Sequence, residues 1–191
     1  MDAGTREALE ARIAALLDGA DPAGAVTAAI RGYGGELHGY LCSVLRDESA
    51  AWEVFSALCE DLWRGAPGFR RESSFRTWAY RLAWHAAARH LRDPFRRRGE
   101  RLATTAAGQL ADELRSTGVI RRQAQVDSLA ELRALLDPEE QTLLVLRVEQ
   151  ELPWSDIAAV LGDAEPALRK RFQRLKDRLR DEARARGLLD A

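Results

Sequence analysis

The stretch PWSDIAAVLGDAEPALRKRFQRLKDRLR, residues 153–180, predicts two helices joined by a tight turn. Ser155 sits where a hydroxyl can cap free backbone N–H groups, and Ile157, Ala158 and Leu161 give the first helix one apolar face. Gly162 stops that helix, because glycine takes the left-handed conformation at a helix C-terminus without a side-chain clash. Asp163 is the expected cap of the next helix, and Pro166 falls in its first turn, where a missing N–H costs least. In the second helix Leu168, Phe172, Leu175 and Leu179 recur at the spacing of one helical face. Arg169, Lys170, Gln173 and Arg174 lie on the far side, with Lys176 at its border. A short helix, a glycine turn and a second helix with a basic outer face make a helix-turn-helix, whose second helix reads the DNA major groove. The alternative is an ordinary helical hairpin with a solvated charged face. The turn length, the compact first helix and the run of cations favour DNA.

Around this stretch the chain has 191 residues, 46% of them hydrophobic, enough to bury the cores of one or two small domains. A formal net charge of −1 says nothing for or against nucleic acid, since binding depends on local potential. Cys42 and Cys59 stand far apart with no CxxC pair and read as small buried side chains in a reducing compartment. The start, MDAGTREALEARIAALLDGAD, lacks a basic region followed by an apolar run, so no signal peptide is expected. No later run is long enough to span a bilayer, and a cytoplasmic protein without membrane insertion is expected. Helix signals are frequent and strand signals scarce. The fold class is therefore all-α, two small helical domains joined by a linker, the C-terminal one a helix-turn-helix.

From the N-terminus, an amphipathic helix is predicted over 5–18, with Leu9, Ile13, Leu16 and Leu17 on one side. A second runs over 23–45, where Gly32, Gly34, Gly35 and Gly39 mark either a break near Tyr33 or close helix packing. A phosphate-binding loop is rejected there, because no Lys-Ser or Lys-Thr follows and no strand precedes. After a turn and cap at 46–49, a helix over 50–64 carries Val54, Phe55, Leu58, Leu62 and Trp63 beside the acidic Glu53, Glu60 and Asp61. Its acidic positions are either a solvated face or a docking surface for a basic partner. A break at 65–68 leads into the basic loop 69–74, where Ser73 or Ser74 can cap a helix over 75–92. On that helix Phe75, Trp78, Ala79, Leu82 and Ala86 form the inner face, and the more exposed Tyr80, Arg81 and Trp84 are candidates for nucleic acid. Aromatics interleaved with cations suit single strands, since bases stack on rings while cations follow phosphates.

The segment 93–99 ends the first domain, and 99–126 is a linker with some helical content, where 113–115 and 119–120 could pack locally. A helix over 128–136 precedes Asp137-Pro138-Glu139-Glu140, a strong cap with acidic residues in the first turn. The next helix, 139–150, partly buries Leu143, Leu144, Leu146 and Val148, and the tail from 181 onward frays. The domains are thus a helical extension over 1–23, a first domain over 24–98, the linker and a second domain over 127–187. No catalytic constellation is present, and neither a cofactor nor a metal is expected. His38, His85 and His90 lack Cys or carboxylate partners at metal spacing, and Glu139-Glu140 is better explained by capping than by acid–base work.

Two stretches together resemble a known family. FRRESSFRTWAYRLA at 69–83 is similar to the promoter-melting segment of bacterial sigma factors of the extracytoplasmic-function (ECF) group, F-R-G-E-S-S-F-R-T-W-L-Y-R-I-A. DPEEQTLLVLR at 137–147, with Ile157-Ala158, Gly162 and Leu168-Arg169-Lys170-Arg171, resembles that family's second domain. The resemblance implies a non-enzymatic, dissociable subunit of core RNA polymerase that recognises and melts promoter DNA, a monomer when free of partners. The polymerase would be met by Glu53, Phe55, Asp61 and Trp63. The melted element would be held by Phe69, Arg70, Arg71, Ser73 and Ser74 of the loop, with Tyr80, Arg81 and Trp84 of the helix. The upstream element would be read as duplex by Arg169, Lys170, Gln173 and Arg174. An anti-sigma protein is expected by analogy. The departures are DESAAWEVF at 47–55 in place of D-A-E-D-L-V-Q-E-T-F, Trp84-His85 in place of Arg-Asn, Arg89 in place of Asp, Ala167 in place of Thr and Lys170 in place of Ser. The alternatives are a conventional helix-turn-helix regulator and a sigma-like protein that binds polymerase without initiating.

Overall fold

The computed structural model describes residues 3–92, 109–112 and 135–186, and every regular element among them is helical. The chain divides into two units, 1–123 and 124–191. The first contains α1 (Ala3–Asp18), α2 (Pro22–Leu45), α3 (Glu48–Gly65) and α4 (Phe75–Arg92), with a 3-10 turn at Ala66–Gly68 before the loop 69–74.

Asp21 starts α2 by accepting the Gly24 N–H at 2.8 Å, and Pro22 opens its first turn. The helix then runs unbroken through its glycines. Close packing is the reason at Gly32, where a Cβ would lie 2.2 Å from Cδ2 of Leu9 on α1. Arg46 ends α2 in the left-handed region with φ 54°, donating its N–H to the Cys42 carbonyl. Asp47 caps α3 by accepting the Ala50 N–H at 3.0 Å.

The core of this unit is built on Tyr33, Tyr40 and Tyr80, all fully buried, with Phe55, Leu37, Leu41, Leu58 and Leu62 around them. Tyr40 meets Tyr80 edge to face with ring centroids 5.5 Å apart, a geometry that aromatic quadrupoles favour. His38 stacks on Trp52 at 3.8 Å, which makes it a packed core side chain. Burial is the main cause that pushes the Cys42 thiol up to about 11 and the Cys59 thiol up to about 12.

In the second unit Asp137 and Glu140 form a reciprocal capping box at the start of α5 (Pro138–Leu144). The helix predicted over 139–150 does not continue as an α-helix. It widens into a π turn at Val145–Glu149. The wider turn rotates the side chains that follow, so Val145 is buried while Val148, expected in part inside, is 55% exposed. α6 (Trp154–Leu161) is capped by Pro153 with no side-chain bond, and Ser155 lies inside the helix, two residues past the cap position. Gly162 closes it at φ 76°, as its sequence position predicts. α7 (Glu165–Ala185) likewise starts from Ala164, not from the expected Asp163, with Pro166 in its first turn.

The apolar stripe of α7 buries Leu168 and Leu175 and half-buries Phe172 and Leu179. The helix extends past the expected fraying point to Ala185, held by a buried Ala183. Residues 109–112 form a short helical turn with Leu110 and Ala111 buried. The segment 93–99, the rest of the linker with 113–115 and 119–120, most of the 128–136 helix and the last residues of the tail lie outside the described residues.

Candidate nucleic-acid and polymerase interfaces

The loop 69–74 is anchored from both ends. At its start Phe69 packs against Phe75 at 5.2 Å and Trp78 at 5.0 Å between ring centroids, so the first loop residue joins an aromatic cluster on α4. At its end Ser74 caps α4, its Oγ accepting the Thr77 N–H at 3.0 Å. The N–H groups of Phe75 and Arg76 donate to the two carboxylate oxygens of Glu10 on α1, each at 2.9 Å. The Tyr33 hydroxyl donates to the same carboxylate at 2.8 Å. Arg71 lies in the left-handed region at φ 59° and pairs with Asp18 of α1 at 2.7 Å. A cavity of about 110 Å³ opens between α1 and the loop, lined by Glu10, Ile13, Leu17, Phe69, Arg71 and Ser73.

Of the residues expected to meet the melted element, Arg70, Arg71, Ser74 and Arg81 are exposed, and Phe69, Ser73 and Trp84 are half-buried. Tyr80 is not available. Its exposure is 0%, because α4 packs against α2 as well as α3 and position 80 faces the interior. Its neighbour one turn earlier, Arg76, is also inside at 6% exposure, paired through Nε with Glu36 at 2.6 Å and lying 5.4 Å from the Tyr80 ring. Phe75 and Trp78 are core, as their spacing predicts. His85 is held below the ordinary histidine value by partial burial, then by Arg81 and Arg89, so it is neutral at pH 7 beside these cations.

On α3, Glu53 is exposed, and Asp61 and Trp63 are half-buried. Asp61 is already paired with Arg64 and Arg89, each at 2.9 Å. Phe55 cannot form part of an outer docking surface. It is 1% exposed and stands edge-on to His38 and Trp52 at 5.8 Å, on the face of α3 that meets α2.

On α7, Arg169, Lys170, Gln173 and Arg174 are all exposed. The Arg169 guanidinium lies 5.3 Å from the Trp154 ring and bonds to Glu165 at 3.2 Å, while Arg147 approaches the same ring at 5.1 Å. Gln173 donates to Asp177 at 3.0 Å. The other cations of α7 divide by partner. Arg171 reaches Glu139 and Arg178 reaches Glu140, both at 2.6 Å, which ties α7 to the start of α5.

Glu10, Asp18, Glu36 and Arg76 were not legible as a set in the sequence, since their contacts join residues far apart in the chain. The FRRESSF run identifies the loop but not the helix that holds it. Among the described residues no group of His, Cys, Asp and Glu is placed to hold a metal ion, and no helix is long and apolar enough to cross a membrane.

Residues 29–98 match the family described as sigma-70 region 2, which takes in α3, the loop 69–74, α4 and most of α2. The fold is similar to that of the sigma factor RpoE in its co-crystal structure with the anti-sigma factor NepR from Bartonella quintana. The TM-score is 0.56 at 16% identity, over 76% of this chain and 88% of that one. No curated protein matches the sequence. The family match contains the FRRESSFRTWAYRLA stretch at 69–83, and the stretch at 137–147 lies outside it.

Proposed function

We propose that this chain is a sigma factor of the ECF type, which binds core RNA polymerase and directs promoter recognition and melting. The observation that carries the reading is the sigma-70 region 2 match over 29–98, which brackets the loop and helix of the FRRESSFRTWAYRLA motif. In this reading 24–98 is the polymerase-binding and melting domain, 99–126 the linker and 127–187 the reader of the upstream element. The protein works in the cytoplasm and catalyses no reaction of its own.

Each part has a physical task. Glu53, Asp61 and Trp63 offer a mixed acidic and aromatic surface on α3 to a basic groove of the polymerase. The loop 69–74 captures an unpaired base, with Arg70 and Arg81 placed for phosphates and Trp84 for stacking. Favourable contacts there offset the cost of unstacking a base, about a few kcal/mol. Arg169, Lys170, Gln173 and Arg174 lie along one exposed side of α7, the arrangement a recognition helix presents to base edges in the major groove. RpoE was crystallised with the anti-sigma factor NepR, and a comparable inhibitory protein is the regulatory partner we propose here.

In vitro transcription with this protein, core polymerase and genomic fragments tests the reading. Protein-dependent transcripts with fixed starts are the expected result. Core binding without transcripts would indicate a sigma-like protein that does not initiate. Sequence-specific duplex binding with no affinity for core enzyme would indicate a conventional helix-turn-helix regulator.

A further inference from the structure

α1 lies outside the segment that matches the sigma-70 region 2 family, yet it touches the loop 69–74 and the start of α4 at several points. Glu10 takes both leading N–H groups of α4 and the Tyr33 hydroxyl of α2, so one carboxylate fixes three helices against each other. Those N–H groups have no partner within their own helix, and a negative charge at that end is favoured by the helix dipole. With Ser74 accepting the Thr77 N–H, three leading donors of α4 are satisfied in a fixed geometry.

Two turns further along α1, Asp18 holds Arg71, whose left-handed backbone is one that a side-chain-bearing residue keeps only when its surroundings impose it. The seat of α1 is itself determined. Leu9 fills the space left by the missing side chain of Gly32, which fixes how α1 lies on α2. α1 also supplies one wall of the cavity beside the loop.

We propose that α1 presets the loop 69–74 for base capture, with Glu10 as the positioning residue and Asp18 as a second tether; this rests on the sigma-factor reading above. A loop that is ordered before it meets its ligand does not lose affinity to ordering. Glu10 acts through the loop and does not touch the base itself.

The test uses reconstituted holoenzyme and a pool of short random-sequence single-stranded DNA, with captured strands sequenced. Core affinity and thermal unfolding are measured alongside. Wild-type holoenzyme is expected to enrich a base-specific motif. Glu10→Gln keeps the side-chain size but turns an amide donor toward a backbone N–H. At a temperature where it is folded and binds core normally, its enrichment is expected to fall about tenfold, the scale of one lost charge-assisted hydrogen bond. Asp18→Asn, at an exposed position, is expected to lower enrichment less and leave unfolding unchanged.

Unchanged enrichment in both variants would overturn the proposal, as would equal losses of enrichment and core affinity in Glu10→Gln. Should Glu10→Gln not fold, Asp18→Asn decides alone: reduced enrichment supports the proposal and wild-type enrichment overturns it. A wild-type holoenzyme that binds core but enriches no motif removes base capture itself, and the proposal falls with it. That outcome is read from the wild-type arm alone.

Discussion

α4 and α7 are both arginine-rich helices with large apolar side chains on one stripe, but their cations do different work. α4 packs against α1, α2 and α3, so even its first arginine is inside and bonded to Glu36. α7 packs against α5 and α6 along a single stripe, and its arginines either reach back to α5 or stand in solvent. The number of neighbours a helix has, more than its composition, decides whether an arginine is a structural ion pair or a reader of another molecule.

The strongest way to break this comparison is Arg76→Met. It strands the nearly buried Glu36 carboxylate and is expected to cost about 3 kcal/mol or more of stability. Denaturant unfolding measures it, and an unshifted midpoint would show that Arg76 is no more structural than the arginines of α7. Next is Tyr80→Ala, which empties a core position and is expected to cost about 3 kcal/mol, lowering core-polymerase binding and promoter opening together. Trp84→Ala, one turn away and half-buried, is expected to impair opening more than core binding. Comparing the two variants by polymerase binding and permanganate footprinting separates the inner face of α4 from its outer face.

On α7 the effects are smaller and of another kind. Arg174→Ala is expected to leave unfolding unchanged and weaken upstream duplex binding by about 1–3 kcal/mol, read by gel shift with holoenzyme. The smallest effect is expected for Arg178→Ala. Its pair with Glu140 is solvent-exposed on the arginine side, so its loss should cost under about 1 kcal/mol, fading with salt, and should not change base preference.

What the sequence disclosed follows the same division. The stripe of α7, the Gly162 turn, Pro166 and the Asp137–Glu140 cap are local, each decided by residues a turn or two apart. They were read correctly from spacing alone. Ser155 lies two residues past the cap of α6 and Asp163 one residue before the cap of α7, positions that Pro153 and Ala164 occupy without any side-chain bond. Val148 was misplaced because a π turn leaves no signature in apolar spacing. Tyr80 and Phe55 were assigned to outer surfaces because a single helical stripe cannot show that a helix is packed on more than one side. The loop 69–74 was legible as a motif, whereas its dependence on Glu10 joins residues 65 and 66 positions apart and has no sequence signature.

The two cysteines have a practical consequence. Cys59 is buried and Cys42 partly so, and both thiols are held well above neutral pH, at about 12 and about 11. Thiolates react with maleimides and thiols scarcely do, so the native chain is a quiet background for labelling at pH 7. A cysteine introduced at exposed Glu72 in the loop or exposed Ala167 on α7, neither of them assigned a DNA contact, would carry a fluorophore with both natural cysteines left in place, giving separate optical reporters for strand opening and for duplex reading.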